Sequence, residues 1–186
     1  MPDKPRYKVP TQDRLTRSAL HYLERYASSE ANLRRVLERK VLKACLALGL
    51  DPAEFSGIID TVVETCRRNT LVDDRTYAET KAAGLRRRGG SRRKIEAQLA
   101  AKGVDRNTIA AVLANEDRSD DDAALIFARR RRLGPFRKTG RGERRDKDLA
   151  AMCRAGFSFE TARRVIDGDP ENGHGDTGGV SGGSGS

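Results

Sequence analysis

The spacing of the apolar residues constrains this chain most. Phe55, Ile58, Ile59, Val62, Val63 and Cys66 fall at i, i+3, i+4, i+7, i+8 and i+11. That spacing puts all six on one face of a helix. Leu15, Ala19, Tyr22, Leu23 and Tyr26 form a second stripe, and Leu33, Val36 and Leu37 a third. Behind Asp73, Tyr77, Ala78, Ala82 and Leu85 continue a further one. No run alternates apolar and polar residues with β-branched enrichment, as a half-buried strand would. The chain therefore reads as all-α, with about nine helices by this count of stripes. Stripes of this kind are packing core, so Tyr77, Ile95, Leu99, Ile109, Val112 and Leu113 are expected to be structural.

Helix starts carry their own marks. Thr11, Ser29, Asp51, Asp73, Ser91, Asp105, Ser119 and Ser158 each precede a periodic run, and short oxygen-bearing side chains satisfy the free N–H groups of a first turn. Pro52 follows Asp51, and proline suits the first helical position. In LVDDRTYAE (71–79) two aspartates stand side by side. Asp73 reads as the cap and Asp74 as an acid at the positive helix end, not as a catalytic carboxylate pair. The three acids of SDDDAAL (119–125) read the same way. Consecutive helical residues point about 100° apart, so they do not converge on one metal.

Two segments repeat. SEANLRRVLERK (29–40) and SRRKIEAQLAAK (91–102) share a serine, two apolar positions and a lysine in the same register. GVDRNTIAAVL (103–113) and GFSFETARRVI (156–166) share a glycine, an apolar residue, a cap, a threonine and a closing apolar pair. The middle unit matches the first at its front and the third at its back, which is the pattern of three tandem helical modules. The expected division is an arm over 1–10, three-helix modules over 11–70, 71–117 and 118–167, and a tail over 168–186. Units this small have little core of their own. The array is expected to be elongated and suited to lying along another surface. The stretch from Asp167 to Ser186 holds eight glycines and a single hydrophobic residue, so the tail is expected to be disordered.

Composition narrows the function. Apolar residues make up 37% of the chain and charged residues 34%, with a net charge of +10 and a pI near 9.9. A basic balance of this size points to polyanionic or acidic partners. There is no phosphate-loop, dinucleotide-fold, zinc-hydrolase or nucleophile-elbow motif. The two histidines, His21 and His174, are far apart. No catalytic, metal or cofactor residue is expected, and the chain reads as non-enzymatic. Cys45, Cys66 and Cys153 show neither a disulfide framework nor a C-x-x-C pattern. With no membrane-spanning run and no secretory signal pattern, the expected location is the cytoplasm.

The positive charge is banded. Residues 81–106 carry nine Lys/Arg and two acids, and residues 129–147 carry ten and two. LRRRGGSRRK (85–94) gathers Arg86, Arg87, Arg88, Arg92, Arg93 and Lys94 around a Gly-Gly turn. ARRRRLGPFRK (128–138) adds Arg129, Arg130, Arg131, Arg132, Arg137 and Lys138. These twelve are the candidate contacts to phosphate or to an acidic protein groove. Phe136 is the one aromatic within the bands, so base stacking has little support and DNA contact should be electrostatic and salt-sensitive. Ser29, Asp73, Ser91, Asp105 and Ser158 are assigned as structural caps.

The quoted segments, with ALHYL (19–23), LVDDRTYAE (71–79), RRGGSRRKIEAQLAAKGVD (87–105) and KDLAAMCRAGFSFETARRVI (147–166), make the chain resemble the RecX family, regulators of the RecA recombinase. The resemblance spans most of residues 14–166. It implies three three-helix modules in a curved rod that binds in the groove of the RecA–DNA filament. It also implies inhibition of filament growth, ATP hydrolysis and strand exchange, and direct DNA contact. The chain is expected to be a monomer whose partners are the RecA filament and, by electrostatic contact, single-stranded and double-stranded DNA. VLKACLALGLDPAEFS (41–56) is longer than the family's usual link, and Asn69-Thr70 replaces a common glycine turn. A sequence-independent basic DNA-binding protein without recombinase contact is the alternative, and an enzyme acting on nucleic acid ranks third.

Overall fold

The computed structural model describes residues 7–116 and 118–168. The first six residues and the predicted disordered tail from 169 onward lie outside the described residues. Among the described residues there are nine α-helices and no strand. They are α1 (Gln12–Leu23), α2 (Glu30–Leu48), α3 (Ser56–Arg68), α4 (Asp74–Arg87), α5 (Arg92–Ala101), α6 (Arg106–Ala114), α7 (Asp120–Arg131), α8 (Arg141–Arg154) and α9 (Phe159–Asp167). Short 3-10 turns occupy Pro52–Phe55 and Gly134–Phe136. The chain is all-α, as its apolar spacing predicts.

The expected caps close their turns. Thr11, Ser29, Ser91, Asp105 and Ser158 each accept a backbone N–H from the first turn that follows. Asp73 accepts from Thr76 at 2.5 Å, which holds its carboxyl below the usual range. Ser119 and Asp122 form a reciprocal capping box. Asp51 caps the 3-10 turn rather than an α-helix. α3 and α8 begin without a side-chain cap, which is why no start signal marks α8.

The helices pack as two compact units, one within Met1–Gly84 and Glu96–Glu116, the other within Leu85–Ile95 and Asp117–Ser186. In the first unit Leu15 and Ala19 of α1, Leu33, Leu37, Val41 and Cys45 of α2, and Ile59, Val62, Val63 and Cys66 of α3 close one core with Phe55 and Val72. Burial pushes the Cys45 and Cys66 thiols up, as expected of packing cysteines. In the second unit the core joins Ala123, Ala124 and Ala128 of α7, Leu149 and Met152 of α8, and Ala162, Val165 and Ile166 of α9 with Leu133 and Phe157. The alanines let α7 approach its neighbours closely.

Each unit contains the same joint, built from the repeated residues. In the first, the Ser29 hydroxyl that caps α2 donates to the Lys102 carbonyl at 2.6 Å, and Asp74 accepts the Glu30 N–H at 2.8 Å. In the second, the Ser91 hydroxyl that caps α5 donates to the Ala155 carbonyl at 2.7 Å, and Asp120 accepts the Arg92 N–H at 2.8 Å. Thus one serine satisfies its own helix and the C-terminus of another. The aspartate at the first position of a third helix supplies the negative charge a helix N-terminus favours. Gly103 and Gly156 follow those carbonyls at φ +81° and +96°. A Cβ at Gly103 would lie 2.4 Å from the Ala31 Cβ, and one at Gly156 2.5 Å from the Ser91 hydroxyl. The glycine of the second repeat is therefore required twice, by its backbone angle and by the close approach.

Candidate polyanion interface

The Gly-Gly corner of the first basic band is built within the second unit by the end of α4, the start of α5, and α7. α4 ends as Gly89 N–H and Gly90 N–H donate to the Arg86 and Leu85 carbonyls, each at 2.9 Å. Gly89 has φ +76°, and a Cβ there would sit 2.6 Å from the Phe127 backbone nitrogen and 2.9 Å from the Ala123 carbonyl oxygen. Only glycine lets this corner lie against the α7 backbone.

The corner is stapled from within. Arg86 is only 5% exposed. Its Nη1 donates to the Gly90 carbonyl at 2.9 Å and to Asp120 Oδ1 at 2.5 Å. The same Asp120 oxygen receives the Arg92 N–H. The sequence places Arg86 among the contact residues, and its burial instead makes it part of the turn. Arg137 is only partly buried but is also committed to an internal partner. Its Nε and Nη2 donate to the two oxygens of Asp148, both at 2.7 Å. Asp148 is 1% exposed and also accepts the Gly134 N–H at 2.8 Å. The guanidinium beside Asp148 holds its carboxyl below the usual range, against the opposing effect of burial.

The remaining candidates stay at the surface, and some of the two bands meet. Arg88 and Lys94 from the first band and Arg130 and Arg131 from the second line one cleft of about 370 Å³, with Leu85, Gly89, Gly90 and Phe127. Arg130 Nη1 donates to the Arg88 carbonyl at 2.8 Å and so ties the bands together. The Arg131 guanidinium lies over the Phe127 ring at 6.0 Å. Arg129 lies over Phe136 at 5.3 Å, outside the cleft lining. Such stacking orients a guanidinium while leaving its N–H edge available. Arg87, Arg92 and Arg93 are exposed around the corner, and so are Arg132 and Lys138. No acidic side chain lines the cleft, so its field is of one sign and suits a phosphate or a carboxylate-rich surface.

Sequence reasoning missed the partners. The three acids of 120–122 look alike in sequence, yet Asp120 staples Arg86, Asp122 completes the capping box, and Asp121 accepts from Thr161 and Arg164 on α9. The usable signal is the acid after a cap, present at Asp74 and again at Asp120. Among the described residues no group of three His, Cys, Asp or Glu could hold a metal ion, and no helix is long and apolar enough to cross a membrane.

Residues 73–113, which run from the α4 cap through α6, match the family described as RecX, second three-helix domain. A Regulatory protein RecX of Myxococcus xanthus is 43% identical over 173 residues, covering 91% of this chain and 91% of that protein. The chain belongs to the RecX family. A second RecX regulatory protein, from Agrobacterium fabrum, is 35% identical and covers 80% of this chain and 79% of its own length. In fold, the chain resembles a crystal structure of regulatory protein RecX with a TM-score of 0.62 at 18% identity, covering 84% of this chain and 72% of that one. It also resembles RecX from Lactobacillus salivarius, with a TM-score of 0.57 at 18% identity, covering 84% and 94%. The RecX assignment explains why the Gly-Gly corner lies inside the matched segment: it joins two of that domain's helices.

Proposed function

We propose that this chain is a non-catalytic cytoplasmic regulator of the RecA recombinase. It acts as a monomer of three three-helix modules, binds RecA and its DNA filament, and mainly inhibits filament extension, ATP hydrolysis and strand exchange. The observation that carries this reading is 43% identity to a RecX regulatory protein across 91% of both chains. The cleft supplies the physical means. Arg88, Lys94, Arg130 and Arg131 converge without an acid, and a converging cationic cleft beside a filament neutralises phosphate and releases counterions. Regulation then follows from differential affinity, because a ligand shifts a filament equilibrium only by binding one state better than another.

The contact residues in this reading are Arg87, Arg88, Arg92, Arg93 and Lys94, with Arg129–Arg132 and Lys138 second. Arg86 and Arg137 hold the surface in place. Charge reversal at Arg88 and Arg130 together should weaken binding to single-stranded DNA. The slope of log affinity against log salt should fall by about 0.7 for each phosphate that is no longer neutralised. Filament inhibition should weaken with it. Unchanged binding across low and moderate salt would remove the cleft from the mechanism.

A further inference from the structure

The first unit carries a second cation-rimmed depression, outside both basic bands. It is a hollow of about 460 Å³ between the segment after Tyr7, α1 and the C-terminal half of α2. Five cations and no acid line it. Its floor differs from that of the Gly-Gly cleft. Tyr7, Pro10, Leu15, Val41 and Ala44 line it, Leu15 and Val41 only by the 2% and 1% of their surface that the core leaves exposed. Arg17, Lys40 and Lys43 stand around its rim. The wall is fixed: Arg14 Nη1 donates to the Val9 carbonyl at 2.7 Å, and Lys40 Nζ donates to the Ser18 hydroxyl at 2.6 Å.

We infer that this hollow docks an acidic segment of a protein partner that carries an aliphatic side chain among its carboxylates. Charge complementarity selects the sign of the occupant, since a lining of five cations repels a basic segment. The aliphatic floor selects the class. A phosphate backbone would lose hydration against the apolar part of this lining, whose carbon atoms offer no hydrogen bond in return. A leucine or isoleucine gains by burial at the same place. Flanking carboxylates then meet Arg17, Lys40 and Lys43 at the solvated rim, where charges steer association and set specificity. The hollow is lined by none of the residues of the cleft at Arg88, so the chain has two anion-seeking surfaces of different chemistry.

The test uses the full chain and three fluorescent probes: a peptide of repeated Glu-Glu-Leu, its Glu-Glu-Gly counterpart, and a thymidine oligonucleotide. Anisotropy should show the leucine peptide binding at least about tenfold tighter than the glycine one, on the scale of one buried aliphatic side chain. Arg17→Glu with Lys43→Glu should weaken the leucine peptide at least about tenfold and leave the oligonucleotide within about twofold. Arg88→Glu with Arg130→Glu should do the reverse. Ser18→Tyr, which fills the hollow without changing charge, should weaken the peptide as well, and circular dichroism checks that each variant is folded. Equal binding of the two peptides would overturn the inference, as would a peptide affinity indifferent to Arg17 and Lys43. Loss of the oligonucleotide rather than the peptide in that variant would assign the hollow to phosphate and overturn it too.

Discussion

Arg86→Ala separates structure from contact within the first basic band. The side chain is 6% exposed and its partner Asp120 36%. Breaking a fully buried ion pair from one side costs about 3–5 kcal/mol, because the remaining charge is stranded. Asp120 is partly solvated and still receives the Arg92 N–H, so the cost falls below that range, to about 2–3 kcal/mol. Loss of the hydrogen bond to the Gly90 carbonyl adds about 1 kcal/mol. The expected destabilisation is about 3–4 kcal/mol, which for a chain of this size lowers the melting temperature by roughly 6–16 °C. Thermal unfolding by circular dichroism measures it, with Arg88→Ala as the control. Arg88 lies at the exposed cleft and its carbonyl, not its side chain, holds Arg130, so its melting temperature should move by about 2 °C or less. If Arg86→Ala melts with the parent but loses DNA binding, the burial argument is wrong and Arg86 is a contact residue.

Asp148→Ala should destabilise the second unit by about 3–5 kcal/mol, leaving Arg137 and the Gly134 N–H without their acceptor; pairing it with Arg137→Met should recover part of that in denaturant unfolding. The folded carboxyl of Asp148 is depressed. Its stabilising contribution is therefore complete above the ordinary carboxylate range and is lost as pH falls through the folded value, so the difference between Asp148→Asn and parent should shrink below about pH 4. Gly89→Ala should destabilise by more than the roughly 1 kcal/mol of an unfavourable φ, since its Cβ would meet the α7 backbone rather than a side chain that can move. Ser91→Ala should cost about 1–2 kcal/mol, as it removes both the α5 cap and the bond to Ala155.

The helices are legible because apolar spacing and capping residues are local. Ser29, Ser91 and Asp105 can be named as caps from their position alone. The second partners of the two serines cannot, because Lys102 and Ala155 are 73 and 64 residues away. Charge is legible as a band but not as a surface. Arg86 lies in the last turn of α4 and Arg88 just past its end, and only packing against α7 decides which is buried. The hollow at Lys43 is not legible because its cations come from three separate segments. Asp148 reads as an ordinary surface acid beside Lys147, and its ion-pair partner is an arginine in the segment before α8.

Single-stranded-DNA-dependent ATP hydrolysis by the cognate RecA, titrated with this protein, bears most directly on the proposed role. Strong inhibition well below one molecule per recombinase monomer is the expected result, because a regulator that binds the filament acts on many subunits through its end or groove. Inhibition that begins only when the protein saturates the DNA itself would contradict it and leave a basic protein competing for the strand.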